Sequence, residues 1–162
     1  MFLVIGAWIG HNSCNKFTAP DADSLTAKTE LDRYLHYYQR YHGHDQSLRF
    51  AAEQRKKAKA KMAEEQLKSG FSTVEVQYLL RAVDQVINCR RVLKYTYVVG
   101  FLLPEGSAEK ELLEYQQEML ERNVEKLHSY TEQPMSSVDS TQVENLCRIS
   151  EKFLASLQSM EF

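Results

Sequence analysis

The 162-residue chain has little of what punctuates β structure: six glycines and three prolines. An all-β fold needs many turns, so this scarcity argues against one. Cysteine is also sparse. Cys14, Cys89 and Cys147 are odd in number, far apart, and form no C-x-x-C pair. No disulfide scaffold is expected, and a reducing compartment is, cytoplasmic or nuclear. No sign of charge dominates, with a formal net charge of −2. Nucleic-acid or membrane binding would want a basic excess, so neither is expected. Long hydrophobic runs are missing as well. The apolar start, Met1-Phe2-Leu3-Val4-Ile5-Gly6-Ala7-Trp8-Ile9, is too short for a bilayer and lacks a signal peptide's basic flank. There is no nucleophile elbow, Gly-rich phosphate loop or P-loop.

What is present suits one domain, or one domain with a tail. Apolar residues make up 43% of the chain, enough for a core, and charged residues 26%. No run alternates cleanly at period two, and helical spacing recurs after Pro20. Asp21 or Asp23 is expected to cap a helix to about Tyr41, ended by Gly43. A second helix runs from about Asp45 to Ser69 and stops at Gly70. Ser72-Thr73-Val74-Glu75 has the form of a capping box. It opens a third helix with Val76, Leu79, Val83, Val86, Leu93 and Tyr97 on its stripe. Pro104-Glu105-Gly106 breaks it. Ser107 caps a fourth helix to about Thr131, with Leu113, Leu120, Val124 and Leu127 inside. A polar linker over 132–141 leads to a fifth, striped by Val143, Leu146, Phe153, Leu157 and Met160. The expected fold is all-α, an antiparallel bundle of about five helices.

One run stands out: Cys89-Arg90-Arg91-Val92-Leu93-Lys94-Tyr95-Thr96-Tyr97-Val98-Val99-Gly100-Phe101. It begins basic and becomes apolar on every side, the pattern of a helix entering a core. On this reading Val92 to Phe101 is buried, and Arg90, Arg91 and Lys94 are solvated near the helix end.

Four features invite a chemical reading. Arg55, Lys56, Lys57, Lys59 and Lys61 cluster on the second helix. They suit an anionic partner, or a solvated face partnered by Glu53, Glu64 and Glu65. No aromatic is interleaved for base stacking, which favours the solvated face. Phe50 lies roughly 200° from Leu48 at about 100° per residue, on the charged side of its helix. That is where a partner contact would be, unless the helix starts later and Phe50 is core. Glu114, Glu118, Glu121 and Glu125 step by four, three and four along one face of the fourth helix. Such a face either docks something basic or is a soluble exterior relieved by Arg122 and Lys126. His11 and Cys14, spaced H-x-x-C, are half of a zinc site at most.

Several blocks together resemble a known family. They are Arg33-Tyr34-Leu35-His36-Tyr37-Tyr38-Gln39-Arg40-Tyr41, His44-Asp45-Gln46-Ser47-Leu48-Arg49-Phe50, Glu75-Val76-Gln77-Tyr78-Leu79, Leu93-Lys94-Tyr95-Thr96-Tyr97-Val98 and Phe101-Leu102-Leu103-Pro104-Glu105-Gly106. In this order they resemble the Ariadne domain, the helical C-terminal part of Ariadne-type RING-in-between-RING ubiquitin ligases. Gly6-Ala7-Trp8-Ile9-Gly10-His11, with Cys14-Asn15-Lys16-Phe17, resembles the end of the family's second RING module. The resemblance divides the chain into a remnant of that zinc module (1–17), the Ariadne-like helical domain (18–131), and a linker with the domain's last helix (132–162). The family's zinc cysteines near Met1 and Val4 are absent here, so the remnant is incomplete and no cofactor is expected in this chain. Zinc is expected in the intact ligase.

The resemblance also implies a role. The intact ligase takes ubiquitin as a thioester from a conjugating enzyme, on a cysteine upstream of this chain. The Ariadne domain folds over that cysteine and inhibits it. Phe50 and Glu125 match two of the family's inhibitory residues, while Ala51 stands where the family has a further Glu. Opening by a cullin carrying a ubiquitin-like modifier is implied too. The expectation is a regulatory fragment cut from something longer, inactive alone. The competing expectation is a free-standing helical adaptor.

Overall fold

The computed structural model describes residues 15–18, 27–69, 73–133 and 137–160, with side chains outside 61–69 and 73–76. The described elements are four helices: α1 (Ala27–Ser69), α2 (Thr73–Leu102), α3 (Ala108–Thr131) and α4 (Ser140–Gln158). The all-α class is as expected, but the number of helices is not. The two helices expected before residue 70 are one.

Gly43 is the reason for that difference. In α1 it lies mid-helix, with nothing within 4 Å of where a Cβ would sit. A helical glycine costs only about 1 kcal/mol relative to alanine. Packing on both sides of it outweighs that. Tyr37, His44 and Ala51 are buried at steps of seven, a seam that crosses Gly43 without a break. The helix has 43 residues and so is about 64 Å long at 1.5 Å per residue.

The other boundaries follow local chemistry. Gly106 takes φ +75° after Pro104, a conformation that favours glycine, and ends the α2–α3 connection. Ser107 Oγ accepts from the Lys110 amide and starts α3. Asp139 accepts from the Thr141 amide and starts α4. Asp21, Asp23, Gly70 and Ser72, named as caps or stops, lie outside the described residues.

α2 is the centre. It packs against α1, α3 and α4, and α3 also packs against α4. Cross-helix pairs fix the directions. Arg55 meets Asp84 and Lys94 meets Asp45, so α1 and α2 are antiparallel. Gln117 meets Thr96 and Glu125 meets Arg90, so α3 is antiparallel to α2. Arg81 meets Glu144, joining α2 to α4. The core holds Leu79, Ala82, Val86 and Leu93 of α2, Leu113, Leu120, Val124 and Leu127 of α3, and Val143, Leu146 and Leu157 of α4. Burial of each large aliphatic side chain stabilises the bundle by roughly 1.5–3 kcal/mol before entropy is counted.

The expected buried run corrects in two ways. Tyr95, Val98 and Leu102 are exposed, so α2 keeps an outer face to its end. Arg90 and Lys94, expected in solvent, turn inward, whereas Arg91 is exposed. Arg90 follows Val83 by seven residues and precedes Tyr97 by seven. It therefore belongs to the inward stripe.

Candidate functional site

α1 and α3 both lie on α2 and reach each other through side chains. The most connected of these contacts is a polar network built on buried positions. His44 of α1 contacts Glu121 Oε1 of α3 through Nε2 at 2.8 Å. Tyr97 of α2 donates its hydroxyl to the same oxygen, and its ring stacks on His44 at 5.4 Å. Arg90 of α2 contacts His44 Nδ1 at 3.2 Å and donates to Glu125 Oε1 at 2.7 Å. Beneath them Gln117 donates to Thr96.

Glu121 is therefore not part of an outer acidic face. Burial pushes its carboxyl pKa up. The hydrogen bonds from His44 and Tyr97, with the Arg90 charge, outweigh that and hold it below the ordinary value. Glu114 also turns inward and is buried. Burial raises its carboxyl, and Lys16 at 3.7 Å offsets only part of this. Glu118 bonds Arg122 one turn on, on the surface. The four carboxylates thus divide in two. Glu114 and Glu121, seven residues apart, share the buried edge of α3, and Glu118 and Glu125 lie outside it.

Phe50 is 42% exposed, off the buried seam of α1. Its ring meets His128 of α3 edge-on at 6.0 Å. His128 is held by Gln54, whose amide in turn donates to Glu132. Burial, then the Arg90 charge, lowers the His128 pKa, so the ring is neutral at neutral pH. Glu125 is one turn before His128 on the same helix, with its side chain 57% exposed. Phe50 and Glu125, on different helices, are thus both exposed near the buried His128.

A second anchor lies on the same α1–α3 side. Asn15 is buried, donating to the Glu114 carbonyl, while its own carbonyl accepts from His36 Nε2. Phe17 packs edge-on to the His36 ring. Burial, then Arg40, lowers the His36 pKa to about 4, so the ring is neutral. Asn15 and Phe17 are thus held against α1 and α3.

The basic cluster has a different fate. Arg55 forms a forked pair with Asp84 of α2. Lys56, Lys57 and Lys59 are exposed, and the Lys61 side chain is outside the described ones. His11 and Cys14 also lie outside the described residues. Among the described residues, no group of three or more His, Cys, Asp or Glu is placed to hold a metal. No described helix is long and apolar enough to cross a membrane.

Sequence reasoning missed Arg90, His44, Gln54 and His128. The signal was present for two of them: Arg90 follows Val83 by seven residues and His128 follows Val124 by four, and both Val83 and Val124 were expected in the core. Nothing in the sequence singled out Gln54.

The described residues form a helical bundle whose α1 and α3 meet through polar side chains. Residues 32–151 match the Ariadne domain family. A probable E3 ubiquitin-protein ligase, rbrA, of Dictyostelium discoideum is 35% identical across 94% of the chain and 33% of its own length. The Drosophila melanogaster E3 ubiquitin-protein ligase ariadne-1 is 36% identical across 93% of the chain and 30% of its own length. The Xenopus tropicalis ligase arih1 is 37% identical across 87% of the chain and 28% of its own length. The chain belongs to the Ariadne domain family of RING-in-between-RING ubiquitin ligases. It spans about a third of the length of these relatives.

Proposed function

We propose that this chain is the regulatory part of a ubiquitin ligase, acting in protein ubiquitination by covering the ligase's catalytic module. The observation that carries this is the exposure of both Phe50 and Glu125 near His128. An exposed aromatic near a carboxylate suits occlusion of a reactive cysteine. The ring excludes substrate, and the carboxylate disfavours the thiolate that the transfer chemistry needs. The Asn15 anchor supports the reading. His36, which Asn15 meets, is about 21 Å from Phe50 along α1 at 1.5 Å per residue, a span that a small module could cover. The partner is the second RING module of the ligase. A conjugating enzyme, and a modified cullin as activator, would act through or upon the intact protein. Zinc belongs to the modules preceding the bundle, and the setting is cytoplasmic or nuclear.

The test is inhibition in trans. The purified chain, added to an Ariadne-type ligase lacking its own Ariadne domain, is expected to slow ubiquitin transfer. Phe50→Ala and Glu125→Ala are each expected to relieve that inhibition while the chain stays folded. Equal inhibition by parent and both variants would refute the site. Given activating and conjugating enzymes, the chain alone is expected to form no ubiquitin thioester.

The adaptor reading draws on a separate observation. Leu31, Tyr34 and Tyr38 of α1, with Tyr95, Val98 and Leu102 of α2, are exposed. Tyr34 stacks on Tyr38 and meets Phe101, and Tyr41 meets Tyr95, so the helices share one apolar ridge. Tyr38→Glu and Val98→Glu are expected to leave the trans inhibition intact. If they abolish it while Phe50→Ala does not, the ridge is the working surface.

A further inference from the structure

The Arg90 side chain is 3% exposed, yet the carboxylate it binds, on Glu125, is at the surface. A guanidinium only donates hydrogen bonds. The His44 nitrogen facing Arg90, Nδ1, must therefore accept. The ring proton then sits on Nε2 and is donated to Glu121. Glu121, His44, Arg90 and Glu125 form one continuous chain of contacts through α3, α1, α2 and back to α3. Its far end, the Tyr97–Glu121 bond, joins the buried Tyr97 to the half-buried Glu121.

We propose that Arg90 is a positioning residue for Glu125, fixing its carboxylate at the surface. The role in regulation rests on the autoinhibitory reading above. A free surface glutamate samples several rotamers and loses that freedom on contact. A charge-assisted bond from a buried guanidinium orders the side chain before contact. The cost of ordering then falls on folding and not on binding. The buried half of the network holds Arg90, and Arg90 holds the carboxylate. A cluster of core contacts thereby governs a surface residue.

Two readouts test this on the purified chain. The first is trans inhibition of a ligase lacking its Ariadne domain. Arg90→Met and Glu125→Ala are each expected to raise the half-inhibiting concentration about tenfold, and the double variant no further. Arg90→Lys keeps the charge but loses the planar guanidinium that reaches His44 and Glu125 at once, and is expected to recover part of the loss. A folded Arg90→Met that inhibits like the parent overturns the proposal, as do additive single effects. The second readout is the nitrogen NMR spectrum of the Arg90 guanidinium. Hindered rotation is expected in the parent and lost in Glu125→Ala. If Glu125→Ala leaves it unchanged, Arg90 does not hold Glu125, whatever the inhibition assay gives. If Arg90→Met does not fold, Arg90→Lys and the NMR readout decide. A parent chain that fails to inhibit overturns the autoinhibitory reading, and the NMR readout still decides the positioning role.

Discussion

Replacing Glu121 by alanine separates an inward carboxylate from an acidic outer face. In the bundle this side chain accepts from both His44 and Tyr97 and offsets the charge of Arg90. A buried donor left without its acceptor costs about 1–3 kcal/mol, and Glu121 serves two. The Glu121 side chain is 24% exposed, so water softens the loss, and about 3 kcal/mol in all is expected. Glu118→Ala removes only a surface pair one turn apart, worth about 0.3–0.5 kcal/mol. Glu121→Gln keeps an oxygen acceptor but not the charge, and is expected between the two. Urea unfolding followed by circular dichroism measures all three. At a slope of about 1.5 kcal/mol per molar, Glu121→Ala lowers the midpoint by about 2 M. If Glu121→Ala and Glu118→Ala agree within about 0.5 kcal/mol, Glu121 is a solvated residue and the network is not a structural unit.

Gly43→Ala is expected to stabilise the chain by about 0.5–1 kcal/mol, because α1 runs through this position with room for a Cβ; a lower melting temperature would refute the unbroken helix. Gly100→Ala should destabilise, since the new Cβ would lie 3.2 Å from the buried Tyr37 ring; a raised melting temperature would show that the ring yields. The two inward glutamates should give opposite pH dependence. Glu121 titrates below its ordinary 4.5 when folded, so its stabilisation is full above 4.5 and is lost as pH falls through the lower folded value. Glu114 titrates above 4.5 when folded, so its cost is absent in acid and grows as pH rises from 4.5 through the folded value. Glu114→Gln is therefore expected to gain stability near neutral pH and to lose the gain in acid; a gain that persists in acid would refute this. Burial pushes the thiols of Cys89 and Cys147 up to about 12 and about 11. Alkylation near neutral pH should therefore be slow in the folded chain and fast in urea, and rapid labelling without denaturant would contradict the packing.

Much of the fold was legible because helical spacing and end signals are local. Val86, Leu93, Leu120, Val124 and Val143 are buried on the stripes expected of α2, α3 and α4, and the Val76 side chain lies outside the described ones. Ser107 does cap α3. The errors share a cause. Gly43 reads as a stop because propensity is local, whereas the seam through Tyr37, His44 and Ala51 that overrides it is tertiary. Arg90, Lys94 and Glu121 read as solvated because charge suggests solvent. A polar side chain stays buried when partners from other helices meet its hydrogen bonds, and those partners are distant in sequence.

The sequence by itself determined the helical class, most helix ends, the core stripes and the family, since each depends on residue type and spacing along a few turns. It also placed Phe50 off its seam. Only the tertiary structure decided that Phe50 and Glu125 are both exposed near His128, that Glu114 and Glu121 face inward, and that a buried arginine stands behind Glu125. Those facts depend on how three helices are rotated and registered against one another, a property of packing that no single stretch of sequence holds.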